Sequence, residues 1–160
     1  MFKFLKKDNK TTFYTVSEGN LIPINKVEDD VFSEKMLGDG YAVQPTSADV
    51  YAPVKGKIIS VFPTKHAISI LTDSGLEVLV HMGIDTVKLQ GVPFEVFVTE
   101  GQTVTPETKM ATMDLDELAK TNTTSTIIIV VTNMDLVKTV STVTEKTVKA
   151  SEEALTVEIN

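Results

Sequence analysis

The chain contains two histidines, His66 and His81, and a single short turn separates the segments that carry them. His66 to Leu71 reads HAISIL, Leu76 to His81 reads LEVLVH, and Thr72 to Gly75 (TDSG) joins the two runs. Four-residue hairpin loops are commonly built around a type I turn, and Asp and Gly suit its positions. Pairing Leu71 with Leu76 sets His66 opposite His81. Opposed residues project to one face with Cβ atoms roughly 4.5–5.5 Å apart. In that register Ile68 and Leu79 lie beneath the imidazoles, while Ala67, Ser69, Val78 and Val80 occupy the opposite face. A one-residue slip would send the rings to opposite faces, so the chemistry depends on the register.

Two adjacent imidazoles in an apolar setting admit few reactions. Metal binding needs a third ligand, and the chain has no third histidine. Hydrolysis through a serine nucleophile has no G-x-S-x-G motif to support it. Nucleophilic catalysis fits better, because a neutral imidazole accepts a phosphoryl group and its unperturbed pKa of about 6.5 leaves it largely neutral near pH 7. The neighbouring ring can donate a hydrogen bond to developing charge. Thr64 shares a face with His66 and can fix that ring's orientation. A lone histidine on a strand is commonly structural, and two of them beside Gly83 and Asp85 leave both readings open.

The elements that must position these groups are mostly strands. Val, Ile and Thr recur in short runs broken by Gly, Pro, Asp and Asn. The pattern predicts strands near 13–16, 20–24, 41–44, 48–51, 56–61, 66–71, 76–81, 95–98, 110–113, 127–131, 138–141 and 154–158. Helix is expected over Asp114–Lys120, with a further turn around Val31–Met36. The fold class is therefore all-β, an antiparallel sandwich with short helical turns. Residues 13–160 are expected to form one domain after a basic, apolar tail at 1–12. A loose repeat links Thr103-Val104, Glu107 and Met110 with Thr147-Val148, Glu152 and Leu155, its spacing off by one.

Composition closes several routes. The 160 residues can bury roughly two-thirds of the unfolded surface, and 42% are hydrophobic. There is no Cys, which excludes disulfides and thiolate chemistry. All fifteen basic residues are Lys, so no guanidinium fork is available to grip phosphate. A net charge of −7 argues against nucleic acid. The longest apolar run, Ile127–Val131, is too short to span a bilayer, and MFKFLKK lacks a secretory core, so a cytoplasmic location is expected. Phe2, Phe4 and Leu5 with Lys3, Lys6, Lys7 and Lys10 suit weak contact with an anionic membrane surface.

The stretch Gly75 to Val87, GLEVLVHMGIDTV, closely resembles the active-site signature of the glucose-type enzyme IIA proteins of the bacterial phosphoenolpyruvate-dependent sugar phosphotransferase system. Thr64-Lys65-His66-Ala67 resembles a second feature of that family. Similar blocks run from Val27 to Gly40, from Ala52 to Lys57 and from Thr132 to Met134. The resemblance implies a β-sandwich in which the phosphocarrier HPr donates a phosphoryl group to His81. It further implies that His66 stabilises the phosphohistidine, that Thr64 hydrogen-bonds His66, and that the group passes to a cysteine on the IIB domain of a sugar permease. Val31, Phe32, Phe62 and Val87 match an apolar docking rim, and Asp29 and Asp85 match aspartates that face basic partner residues. A monomer without a cofactor is implied. Two departures stand out: Leu79 where relatives often carry Phe, and Glu107 and Glu152 where a Gly-Asp turn is more usual.

Two other readings compete. A zinc-binding or regulatory module would use His66 and His81 with a carboxylate from Asp85 or from a partner protein. A biotinyl- or lipoyl-type carrier is suggested by APVKGK at Ala52–Lys57, yet Lys109-Met110 lacks the full flanking such a lysine needs.

Overall fold

The computed structural model describes residues 9–160. The strands are β1 (Lys10–Tyr14), β2 (Gly19–Pro23), β3 (Asp39–Pro45), β4 (Asp49–Tyr51), β5 (Gly56–Val61), β6 (Ala67–Leu71) and β7 (Glu77–Met82). They continue as β8 (Phe94–Val96), β9 (Thr103–Val104), β10 (Lys109–Met113), β11 (Ile127–Val131), β12 (Val137–Val140), β13 (Lys146–Val148) and β14 (Glu153–Ile159). Two short helices complete the set, α1 (Asp30–Ser33) and α2 (Leu115–Lys120). Asp114 caps α2 by accepting from the Glu117 N–H, which is why the helix starts one residue later than the composition suggests. No helix among the described residues is long and apolar enough to cross a membrane.

The antiparallel sandwich expected from the sequence is present. An eight-stranded sheet runs β13-β2-β3-β11-β7-β6-β5-β9, and two three-stranded sheets run β1-β14-β12 and β4-β10-β8. Three expectations need correction. Residues 10–12, assigned to the tail, belong to β1 and pair with β14; residues 1–8, with the proposed membrane-contacting side chains of that segment, lie outside the described residues. The edge strands β9 and β13 are too short for periodicity to reveal. The turns Ile24–Lys26, Thr86–Leu89 and Met134–Leu136 are 3₁₀ helices.

One apolar cluster fills the space between the large sheet and the two small ones, with Phe13, Val50, Ile68, Val80, Met110, Ile129 and Val157 all within it. A second lies on the outer face of the large sheet, where Ile24, Val27 and Phe32 close over Ile22, Ala42, Ile128 and Val130. Central strand β11 is therefore covered on both sides, and its unbroken IIIVV run is buried at every residue. Burial of such side chains stabilises by about 1.5–3 kcal/mol each before entropy is counted.

The strand pairing has an internal twofold pattern. The Tyr14 N–H donates to the Pro53 carbonyl at 2.8 Å, and the Tyr51 N–H donates to the Val16 carbonyl at 2.7 Å. On one side Phe13 pairs with Leu155 and Tyr14 with Glu153, skipping Ala154. On the other Val50 pairs with Ala111 and Tyr51 with Lys109, skipping Met110. The edge strands follow suit, with Thr103 on Lys57 and Val104 on Gly56 matching Thr147 on Asn20 and Val148 on Gly19. The axis passes between Ile129 and Val80, which face each other. The loose repeat is thus a true structural one, but Met110 corresponds to Ala154 and not to Leu155. With that change Thr103, Val104 and Met110 share one offset with Thr147, Val148 and Ala154, while Glu107 corresponds to Ser151 and not to Glu152. In the same correspondence Val130 of β11 matches His81 of β7.

Candidate functional site

The β6–β7 hairpin forms one residue away from the expected register. Leu71 pairs with Glu77, Ile68 with Val80, and Ala67 with His81. The Thr72 N–H still donates to the Leu76 carbonyl at 3.0 Å, so the loop is Asp73-Ser74-Gly75. Gly75 at φ 95° donates its N–H back to the Thr72 carbonyl at 3.0 Å, as in three-residue loops that end on a left-handed glycine. Asn133 pins this end: its Nδ2 donates to the Gly75 carbonyl at 2.9 Å and its Oδ1 accepts from the Glu77 N–H at 2.8 Å. Ala67, Ser69, Leu79 and His81 consequently share the outer face, while Ile68, Ile70, Val78 and Val80 point into the inner core. Of the two residues expected beneath the imidazoles, Leu79 is on their face and Ile68 is not.

The two rings nevertheless meet. His66 lies just before β6, and its carbonyl accepts from the Met82 N–H at 2.7 Å. Lys65 takes a left-handed conformation, φ 61°, as the turn from Phe62 closes. That reversal brings the His66 ring over the outer face, 5.0 Å from the His81 centroid and at 76° to its plane. A lysine at positive φ is strained, and here the strain coincides with the step that assembles the pair.

The hydrogen bonds orient each ring. His81 Nδ1–H donates to the Gly83 carbonyl at 2.8 Å, which leaves the Nε2 lone pair directed elsewhere. His66 Nδ1 and Thr64 Oγ1 share a hydrogen bond of 2.6 Å. His66 is only 6% exposed, and burial lowers its pKa from the ordinary histidine value. Burial also lowers the pKa of His81; the Gly83 hydrogen bond opposes that effect, the neighbouring His66 adds to it, and Asp29 and Asp85 pull the other way. Both shifts favour the neutral form of each ring.

Aromatic side chains wall the pair. The Phe32 ring lies 5.1 Å from His81 and the Phe62 ring 5.4 Å from His66. Phe32, expected on the docking rim, is 6% exposed because it also packs into the outer cluster, and its ring walls the site. Val31, Phe62 and Val87 are exposed to 40%, 38% and 50%. Asp29 caps α1 by accepting from the Val31 N–H at 2.9 Å. Asp85 sits at φ 61°, just before the Thr86–Leu89 turn. Among the described residues no cluster of three or more His, Asp or Glu is placed to hold a metal. The sequence reading missed the roles of the Gly83 carbonyl and Asn133, since a backbone acceptor leaves no side-chain signal.

Comparison with known proteins places this geometry in context. Residues 11–137 match the family described as phosphoenolpyruvate-dependent sugar phosphotransferase system, EIIA 1. The PTS system glucose-specific EIICBA component of Streptococcus pneumoniae serotype 4 is 45% identical over 134 residues, which are 84% of this chain and 18% of that protein. The PTS system glucose-specific EIIA component of Mycoplasma capricolum is 52% identical over 103 residues, 64% of this chain and 67% of the relative. The chain thus spans under a fifth of the first relative and about two-thirds of the second. The solved glucose permease IIA from Mycoplasma capricolum aligns with a TM-score of 0.83 at 40% identity, covering 98% of this chain and 99% of the other.

Proposed function

The chain belongs to the EIIA 1 family of the phosphoenolpyruvate-dependent sugar phosphotransferase system, and from that premise we propose that it relays a phosphoryl group between proteins through His81. The observation that carries this reading is the hydrogen bond from His81 Nδ1–H to the Gly83 carbonyl, which frees Nε2 as a neutral nucleophile. The donor is phosphorylated HPr and the acceptor is the IIB domain of a sugar permease, at the cytoplasmic side of the membrane.

In the receiving step Nε2 of His81 attacks phosphorus as the nitrogen–phosphorus bond of the donor breaks, and the bonding pair returns to the donor's imidazole. His81 then carries phosphorus on Nε2 and keeps its hydrogen on Nδ1. Its positive ring is favoured by the Gly83 carbonyl and by Asp29 and Asp85. Thr64, by donating its hydroxyl hydrogen to His66 Nδ1, holds the His66 tautomer whose Nε2–H points to the phosphoryl oxygens. That contact stabilises the charge of the transition state. Val31, Phe62 and Val87 dock either partner and exclude water, while Asp29 and Asp85 orient its basic residues. No cofactor enters the step, because the imidazole is itself the nucleophile.

Incubation with phosphoenolpyruvate, enzyme I and HPr, followed by phosphate mapping under mildly alkaline conditions, tests this directly. Phosphate is expected on His81, absent in His81→Ala and still accepted by His66→Ala. A bare wild-type chain beside charged HPr would overturn the reading.

A further inference from the structure

Thr86 is fully buried beside the site, and it touches neither imidazole in any hydrogen bond of the structure. Its hydroxyl donates to the Met82 carbonyl at 2.5 Å. Its methyl carbon, Cγ2, lies against Gly83 so closely that a Cβ built on the glycine would fall 2.4 Å away. The left-handed turn at Asp85, φ 61°, is what brings the side chain of Thr86 back under the strand end.

Two consecutive peptide groups meet at Gly83. The first runs from the Met82 carbonyl, held by Thr86, to the Gly83 N–H, which donates to the Thr126 carbonyl at 2.9 Å. The second runs from the Gly83 carbonyl, which accepts from His81 Nδ1–H, to the Ile84 N–H, which donates to the Thr124 carbonyl at 3.0 Å. Glycine is the pivot between them and has the freest backbone of any residue. With the first peptide clamped at both ends by hydrogen bonds, the second has one orientation, and the methyl only fills the space behind the glycine. That orientation aims the Gly83 carbonyl at His81.

We propose that Thr86 is a positioning residue for phosphoryl transfer: by fixing the Met82–Gly83 peptide it selects the His81 tautomer with hydrogen on Nδ1 and the lone pair on Nε2. The proposal rests on the reading of His81 as the phosphoryl acceptor. The hydroxyl and the methyl have separate duties, so substitutions can separate them. Thr86→Val keeps the shape and loses the donor, leaving the Met82 carbonyl unpaired. Thr86→Ser keeps the donor and loses the methyl.

The experiment compares the full chain with both variants by long-range nitrogen–proton correlation spectra of the His81 ring at pH 8, and by the initial rate of phosphate uptake from charged HPr. Wild type and Thr86→Ser are expected to show the Nδ1–H tautomer. Thr86→Val is expected to mix tautomers and to accept phosphate about tenfold more slowly. Should Thr86→Val lose its fold, Thr86→Ala serves with the same expectation. A folded Thr86→Val with the wild-type tautomer and rate overturns the proposal, as does equal tautomer mixing in Thr86→Ser. Failure of wild type to accept phosphate would strike the functional reading instead, and the tautomer comparison, which needs no donor protein, still decides the role of Thr86.

Discussion

His66 and His81 lie 5.0 Å apart between ring centroids although the residue that faces His81 across the ladder is Ala67. The small methyl of Ala67 leaves room above the strand, and the ring that fills it arrives from the turn before β6. The pair therefore depends on the Phe62–His66 turn as much as on the hairpin.

Loosening that turn is expected to slow the chemistry without unfolding the protein. Thr64→Val removes the 2.6 Å hydrogen bond to His66. Phosphate uptake on His81 should fall about tenfold, while the thermal midpoint stays within a degree or two of wild type. A rate equal to wild type would show that His66 holds its orientation without Thr64.

The lowered pKa values of both histidines set a pH dependence with a definite sign. In the unfolded chain each ring binds a proton as pH drops below about 6.5, whereas the folded rings resist until lower pH. Their contribution to stability is thus complete above that value and is lost as pH falls toward the folded pKa values. Thermal midpoints measured between pH 7.5 and pH 5 should drop less for the double variant His66→Gln/His81→Gln than for wild type. On the proposed relay, which uses neutral His81, the uptake rate should hold its plateau to a pH below the ordinary histidine value.

Phe32 links the outer core to the His81 ring. Truncation to alanine should cost about 3–5 kcal/mol of stability, and hydration of the exposed face should raise the His81 pKa toward its ordinary value. Titration of the His81 ring proton signals measures the second effect. A His81 pKa that rises less in Phe32→Ala than in Phe32→Leu would argue against burial as the cause.

Val87, half exposed, is expected to act on docking alone. Val87→Lys should raise the KM for charged HPr by about tenfold and leave the saturated rate and the thermal midpoint unchanged. A fall in the saturated rate at constant KM would place Val87 in the reacting geometry instead.

Asn133 offers a purely structural contrast. Asn133→Ala removes two bonds to the hairpin end and should cost about 1–3 kcal/mol in chemical denaturation. The uptake rate per folded molecule should not change.

Much of this was legible in the residues themselves. The strands 56–61 and 127–131 have the expected limits because their apolar runs are bounded by turn residues. The signature around His81 and the Thr64-x-His66 spacing pointed to the three side chains that the structure brings together. The hairpin register was not legible, since a three-residue and a four-residue loop differ only in whether Thr72 and Leu76 pair, and TDSG suits both. The burial of Phe32 was also hidden, because it arises from residues 24–36 folding over a sheet face that the sequence pattern cannot assign. The carbonyl of Gly83 has no signature of its own beyond the glycine that frees it.

The twofold strand pattern separates endurance from reactivity on this scaffold. Every ladder except the central β7–β11 pair on the axis has a counterpart, so most of the contacts that resist unfolding are supplied twice, whereas the Nδ1-to-carbonyl bond is made once, at His81, and its counterpart Val130 is a plain core residue. Damage to the small β1-β14-β12 sheet, which lies apart from the sheet carrying His81, should be read in melting curves, and damage near Gly83 in the uptake rate. For an engineer, that small sheet is the place to add stability, because changes there can be judged by folding alone.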